Sequence, residues 1–278
     1  MFDTGVAMRF EGKVGFVTGG ASGLGEALAR LMVAEGGSVV VADIHGDRAA
    51  AVAESLGSAA HAVTCDVTDE AQVAAGIDAA VQHFGRLDAV FANAGIVGAV
   101  GPIAEANLDD FDRTIAVLVR GVFATVKHGA RAMIAQGQGG AIVCTSSVAG
   151  VQGGLGPHAY TVAKTGVIGL ARSAAAELAQ YGIRCNAIAP GSIATGMTAH
   201  VIAGDPDNLD KARERIGAQS PLGRAGVPSD IAETAMFLMS EGGSYITGQT
   251  IVVDAGVTSG ASMSPTWSAS RMVIARPA

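Results

Sequence analysis

Residues 14–18 form a short apolar run that ends in two glycines, and from residue 23 to 34 apolar side chains recur at helical spacing. A strand, a glycine-rich turn and a helix in that order make a β-α unit, which buries its strand only when further units continue the sheet. Apolar runs at 38–42, 60–64, 89–92, 141–145, 184–188 and 250–253 supply them, alternating with helical patterns near 48–56, 70–84, 108–136, 160–181 and 229–239. Strands separated by helices pair in parallel through right-handed crossovers. The expected fold class is therefore α/β: one doubly wound parallel sheet flanked by helices on both faces. The 278 residues, 49 % hydrophobic and 15 % charged, are enough for one continuous core and fit a single domain with its core at 10–257. Two segments break the rhythm. Residues 196–219 are polar around Gly204-Asp205-Pro206 and read as a lid over the substrate, and 258–278 read as a frayed tail or a docking arm.

The charge balance removes one class of function. A net charge of −7 without a run of Lys or Arg is the opposite of a phosphate-backbone grip, so nucleic acid is not expected as a partner. No stretch of eighteen apolar residues occurs, and residues 1–8 carry Asp3 and no basic-then-apolar leader, which reads as a soluble, unprocessed chain with no membrane partner. Cys65, Cys144 and Cys185 stand far apart in apolar stretches and read as core thiols rather than disulfide or metal ligands. No metal is expected, and the compartment is expected to be the reducing cytoplasm.

The turn Thr18-Gly19-Gly20-Ala21-Ser22-Gly23-Leu24-Gly25 places glycines where backbone must approach a pyrophosphate and where helix must pack on strand, with the helix N-terminus facing the phosphates. In this position it marks a Rossmann-type dinucleotide site. Asp43 ends the second strand, where a carboxylate can accept from both ribose hydroxyls and repel a 2′-phosphate, which predicts NAD over NADP. Arg48 is near in sequence, whereas His45 and Asp47 add no basic pocket.

With these residues in place, residues 13–256 resemble the classical short-chain dehydrogenase/reductase family. The glycine turn, with Gly19, Ser22, Gly23, Leu24 and Gly25, is similar to that family's cofactor fingerprint. The resemblance implies that the Asp66 carboxylate and the Val67 amide contact the adenine, and that Asn93-Ala94-Gly95 stabilises the central sheet and lines the cofactor cleft. Tyr160-Thr161-Val162-Ala163-Lys164 resembles the family's Tyr-x-x-x-Lys signature, with Ser147 at the position of the catalytic serine. Pro190-Gly191-Ser192-Ile193-Ala194-Thr195 resembles the loop that holds the nicotinamide carboxamide, through Pro190, Gly191, Ile193 and Thr195. Lys127-His128-Gly129-Ala130-Arg131 and the runs 141–147 and 245–254 look like the alcohol dehydrogenases of terpenoid, lignan and other alicyclic alcohols. The family also implies a homotetramer, with helices near 108–136 and 160–181 at one interface and residues 252–256 at another.

Tyr160 and Lys164 share one helix face, so an ammonium beside the phenol is expected to favour the phenolate and move the tyrosine toward the operating pH. Tyr160 and Lys164 are also expected to contact the cofactor, Lys164 through the nicotinamide ribose, and Ser147 would donate to the substrate oxygen. Taken singly these residues read as a surface pair and a strand-end hydroxyl; after a dinucleotide-binding unit they read together as an alcohol–carbonyl oxidoreductase. One position departs from the family: alignment on Gly121 puts Leu118 where an Asn usually anchors a relay water behind the lysine, and Leu cannot hydrogen-bond. Val148, Val151, Leu155 and Met197 are candidate walls for a hydrophobic alcohol or ketone, and His158 and His200 are less favoured polar candidates. A ketoreductase of acyl thioesters and a catalytically silent nucleotide-binding regulator are the competing readings.

Overall fold

A computed structural model describes residues 8–260. Seven strands form one parallel sheet in the order β3-β2-β1-β4-β5-β6-β7: β1 (Val14–Thr18), β2 (Ser38–Asp43), β3 (Ala60–Thr64), β4 (Ala89–Ala92), β5 (Gly140–Thr145), β6 (Ile183–Pro190) and β7 (Thr250–Val253). The order reverses between β1 and β4, which opens a crevice beyond their carboxyl ends. The central strands are buried on both faces, so they read in sequence as continuous apolar runs.

Successive side chains feed two cores. Phe16, Val40, Val90 and Ile142 pack on one face under α3 (Glu70–Phe84), α5 (Gly121–Gln136) and α6 (His158–Leu178). Val17, Val39, Val41, Phe91 and Val143 pack on the other, under α1 (Gly23–Ala34), α2 (Gly46–Leu56) and α9 (Pro228–Met239). Arg184 of β6 closes the α9 end: its guanidinium donates to the carbonyls of Leu238 and Ser240, which the helix C-terminus leaves without intrahelical donors, and to that of Ile246 in the loop beyond.

Three boundaries depart from the apolar pattern. The stretch 108–136 is not one helix. It runs as α4 (Leu108–Ile115), a π-helical segment (Ala116–Arg120) and α5. An unbroken Ala-Val-Leu-Val run hides the extra residue that widens the helix there. Helix α6 begins two residues before Tyr160 because Pro157 is preset for the helix approach, and its last turn, Ala179–Tyr181, tightens to 3-10 geometry. Strand β6 continues through Pro190. The segment 196–219, read in sequence as a lid, contains α7 (Gly196–Ala203) and α8 (Leu209–Gln219), which with Ala194 of the preceding loop form a small core of Ala194, Ala199, Ala212 and Ile216 separate from both sheet cores. Of the expected tail only 258–260 fall within the described residues, and the N-terminal reading of 1–8 lies outside them but for Met8.

Candidate active site

The glycine turn leaves β1 at the switch point. Gly19 and Gly23 adopt φ of +64° and +54°, which side chains disfavour. A Cβ on Gly25 would stand 2.1 Å from the Gly19 carbonyl, so only glycine lets α1 start this close to the strand. The Ser22 N-cap makes no side-chain capping bond, so the first amides of α1 are left for a ligand. A Cβ on Gly23 would meet nothing nearer than the Thr195 methyl at 3.5 Å, which shows that the β6 loop closes over the turn across a narrow open space. Asp43, buried at the end of β2, accepts from the Ala21 amide at 3.1 Å and the His45 amide at 3.0 Å. It forms no ion pair among the described residues, and its remaining lone pairs are free for ribose hydroxyls. Free helix-start amides, a glycine cradle and a buried carboxylate fit a nicotinamide dinucleotide.

Asn93 joins three strand ends. Its amide nitrogen donates to the Thr18 carbonyl at 3.1 Å, its carbonyl accepts from the Thr145 hydroxyl at 3.2 Å, and its backbone amide donates to the Thr18 hydroxyl at 2.9 Å. The Ala94 amide shares that hydroxyl at 3.1 Å. At the end of β3 the Asp66 carboxylate holds the Thr68 amide and hydroxyl, and Val67 is buried against Gly121, where a Cβ would come within 2.7 Å of the valine.

The predicted catalytic residues converge at the end of β5. Ser147 is buried and its oxygen accepts from the Ala149 amide at 3.2 Å, which leaves its hydrogen to donate. Lys164, 3 % exposed, donates from Nζ to the Thr145 carbonyl at 2.8 Å and lies 5.4 Å from the Tyr160 ring centroid. Burial pushes the lysine down to about 8, opposed by the nearby Cys144 thiol. Burial also raises Tyr160, and the neighbouring Ser147 hydroxyl works against that rise. The tyrosine is therefore raised rather than depressed: desolvation exceeds the offset that the Ser147 hydroxyl supplies. Leu118 is fully buried in the π segment and approaches the Cβ position of Gly95 to 3.2 Å, with Lys164 Nζ 3.9 Å from the same point. The family's asparagine position thus lies beside the lysine here and presents only hydrocarbon.

The loop after β6 is set from below. The Gly191 amide donates to the Val253 carbonyl at 2.9 Å, and a Cβ on Gly191 would clash with Asp254 at 2.8 Å. Ile193 bridges to Gly226, and Thr195 caps α7 in a reciprocal exchange with Thr198. Of the candidate pocket walls, Val151, Leu155 and Met197 stand exposed, and Val148 is buried to the same extent as its neighbour Ser147; His158 and His200 are both exposed. Sequence reasoning does not single out Thr18, Thr145 or Ser146, which read as ordinary strand-end residues. Only their hydrogen bonds set them apart.

The comparisons agree with this geometry. A family model described as Enoyl-(Acyl carrier protein) reductase matches residues 19–258. Short-chain dehydrogenase reductase 4 of Arabidopsis thaliana is 43 % identical over 254 residues, which cover 91 % of this chain and 85 % of the relative. Momilactone A synthase of Oryza sativa subsp. japonica is 42 % identical over 257 residues, 91 % of this chain and 92 % of the relative. The crystal structure of a levodione reductase superposes with a TM-score of 0.84 at 36 % identity, covering 91 % of this chain and 100 % of that one. Fold, switch-point site and relatives together place the chain in the classical short-chain dehydrogenase/reductase family, oxidoreductases whose Rossmann fold binds NAD or NADP.

Proposed function

We propose that the protein is an NAD(H)-dependent dehydrogenase that interconverts a hydrophobic, cyclic secondary alcohol and its ketone. The observation that carries the reading is the meeting of Ser147, Tyr160 and Lys164 at the end of β5, on the crevice whose other wall is the glycine turn and Asp43. In oxidation the Ser147 hydroxyl donates to the substrate oxygen and the Tyr160 phenolate takes the hydroxyl proton; in reduction Tyr160 returns it. Lys164 holds the ribose and adds positive charge beside the phenol. When bound, the nicotinamide supplies the hydride acceptor or donor. Asp66, Val67, Asn93, Ala94 and Gly95 line the adenine-to-ribose path, and Pro190, Gly191, Ile193 and Thr195 hold the carboxamide.

The apolar rim supports a hydrophobic substrate: Val151, Leu155 and Met197 are exposed there, and the loops that leave β4 and β5, residues 93–112 and 146–163, contain no Lys or Arg, whereas α8 of the lid carries Lys211, Arg213 and Arg215. A thioester on an acidic carrier or a phosphorylated handle would need cations at this rim, which only α8 of the lid supplies. The names of two relatives, levodione reductase and momilactone A synthase, point the same way. Three buried free thiols suit a reducing, cytoplasmic compartment, and exposed Phe123, Val162 and Phe237 suit burial between subunits of a homotetramer. No described helix is long and apolar enough to cross a membrane.

The test is NADH formation at alkaline pH across a panel of cyclic alcohols, with NADP in parallel and Tyr160→Phe as control. Turnover with NAD that the control abolishes supports the reading. NADH binding without turnover of any alcohol moves the weight to thioester reduction or to a nucleotide-binding regulator.

A further inference from the structure

Lys164 is gripped at two points by two consecutive residues. Its ammonium meets the Thr145 carbonyl, the last of β5, and the next residue, Ser146, donates its hydroxyl to the backbone carbonyl of Lys164 itself at 2.7 Å. Ser146 is 1 % exposed and is fixed in turn by its amide, which donates to the Ile188 carbonyl of β6 at 2.7 Å. From the opposite side Gly150 lies directly against the same carbonyl: a Cβ there would come within 2.7 Å of the Lys164 carbonyl carbon and oxygen and 2.8 Å of the Ser146 hydroxyl. The Thr165 hydroxyl adds a 3.3 Å bond to the Gly150 carbonyl. A carbonyl inside a helix already has a backbone donor one turn on, so α6 does not need the Ser146 bond to stay helical. What the bond fixes is where this turn of α6 sits against the sheet.

We propose that Ser146 is a positioning residue for Lys164: its hydroxyl pins the lysine backbone to the same strand end that takes the lysine ammonium. This rests on the catalytic reading of Lys164 given above. With both ends of the side chain anchored, Nζ is held between the Thr145 carbonyl and the Tyr160 ring. Loss of the backbone anchor lets the turn shift and the ammonium drift toward solvent. Displacements of about 1 Å in a catalytic group cost on the order of 100-fold in rate.

The experiment compares wild type, Ser146→Ala and Gly150→Ala, which attack the same contact from its two sides. It reads kcat and KM for the best alcohol, the thermal midpoint, and the titration of Lys164 Nζ by nitrogen NMR, assigned against Lys164→Met. Both variants are expected to lose kcat by roughly 10- to 100-fold with KM changed less than about 3-fold. In both, the Lys164 midpoint rises from about 8 toward the ordinary lysine range as its burial is relieved. Ser146→Thr, which keeps the hydroxyl, restores both readouts. Unchanged kcat and an unchanged lysine midpoint in Ser146→Ala would overturn the proposal. So would a fall in thermal midpoint and activity with the lysine titration unmoved, since that is the signature of packing alone. If wild type turns over no alcohol, the functional reading fails by itself, and the lysine titration still decides the role of Ser146.

Discussion

The two walls of the crevice are built by different means. The wall from β1, α1 and β2 is made of backbone: positive-φ glycines, uncapped amides, and a carboxylate already held by two amides. The wall from β5 and α6 is made of side chains whose behaviour depends on burial, with a lysine pushed down to about 8 and a tyrosine pushed up. The first wall is a shape and the second is a balance of desolvation against charge. Changes to the first should alter what binds, and changes to the second should alter what reacts and at which pH.

The largest effect tests that division on the catalytic wall. Tyr160→Phe is expected to lower kcat/KM by about 1000-fold while NADH affinity and the thermal midpoint stay near wild type, as steady-state kinetics and fluorescence titration would show. A matching loss of NADH affinity would erase the distinction between the walls. On the cofactor wall, Asp43→Asn removes the charge that repels a 2′-phosphate, and the ratio of kcat/KM with NAD to that with NADP should fall by roughly 100-fold with kcat for NAD little changed.

The buried lysine ties catalysis to stability. Its pKa is lower in the folded chain than in the unfolded one, so below about 8 the folded state bears the cost of a buried ammonium, and that cost is relieved as pH rises from about 8 toward 10.4. Urea midpoints measured from pH 7 to 10 should therefore show wild type gaining on Lys164→Met by an amount on the order of 3 kcal/mol. A constant gap would mean that the lysine is solvated. Leu118→Asn places a hydrogen-bonding group beside Gly95 and Lys164. It should keep the fold and shift the pH–rate profile, and identical profiles would remove this position from the proton path. The smallest expected effect lies under the β6 loop. Ala255 holds a φ of 58°, the one described non-glycine residue with a positive φ, and Ala255→Gly should stabilise the protein by about 1 kcal/mol in chemical denaturation.

The same division explains what could be read in the sequence. The turn from Thr18 to Gly25 and the strand-ending Asp43 were legible because backbone geometry restricts which residues can stand there, and they lie where expected. The alternation of strands and helices was legible for a similar reason, down to 14–18, 70–84 and 250–253. The π segment at Ala116–Arg120 was not, since one extra residue in an apolar run leaves no mark on periodicity. Nor was the sign of the Tyr160 shift: helical spacing puts Lys164 near, but only the folded structure shows how deeply the phenol is buried.

Helices α7 and α8 pack Ala199, Ala212 and Ile216 with Ala194 of the loop after β6 into a small core outside the two sheet cores. As the proposed lid, this unit can mutate its inner surface, or be exchanged for another of different length, while the glycine turn and Lys164 remain as they are. Under the proposed function, inheritance of the chemistry and innovation in the substrate are carried by largely separate stretches of chain, so a lineage can try new molecules while its reacting groups stay in place.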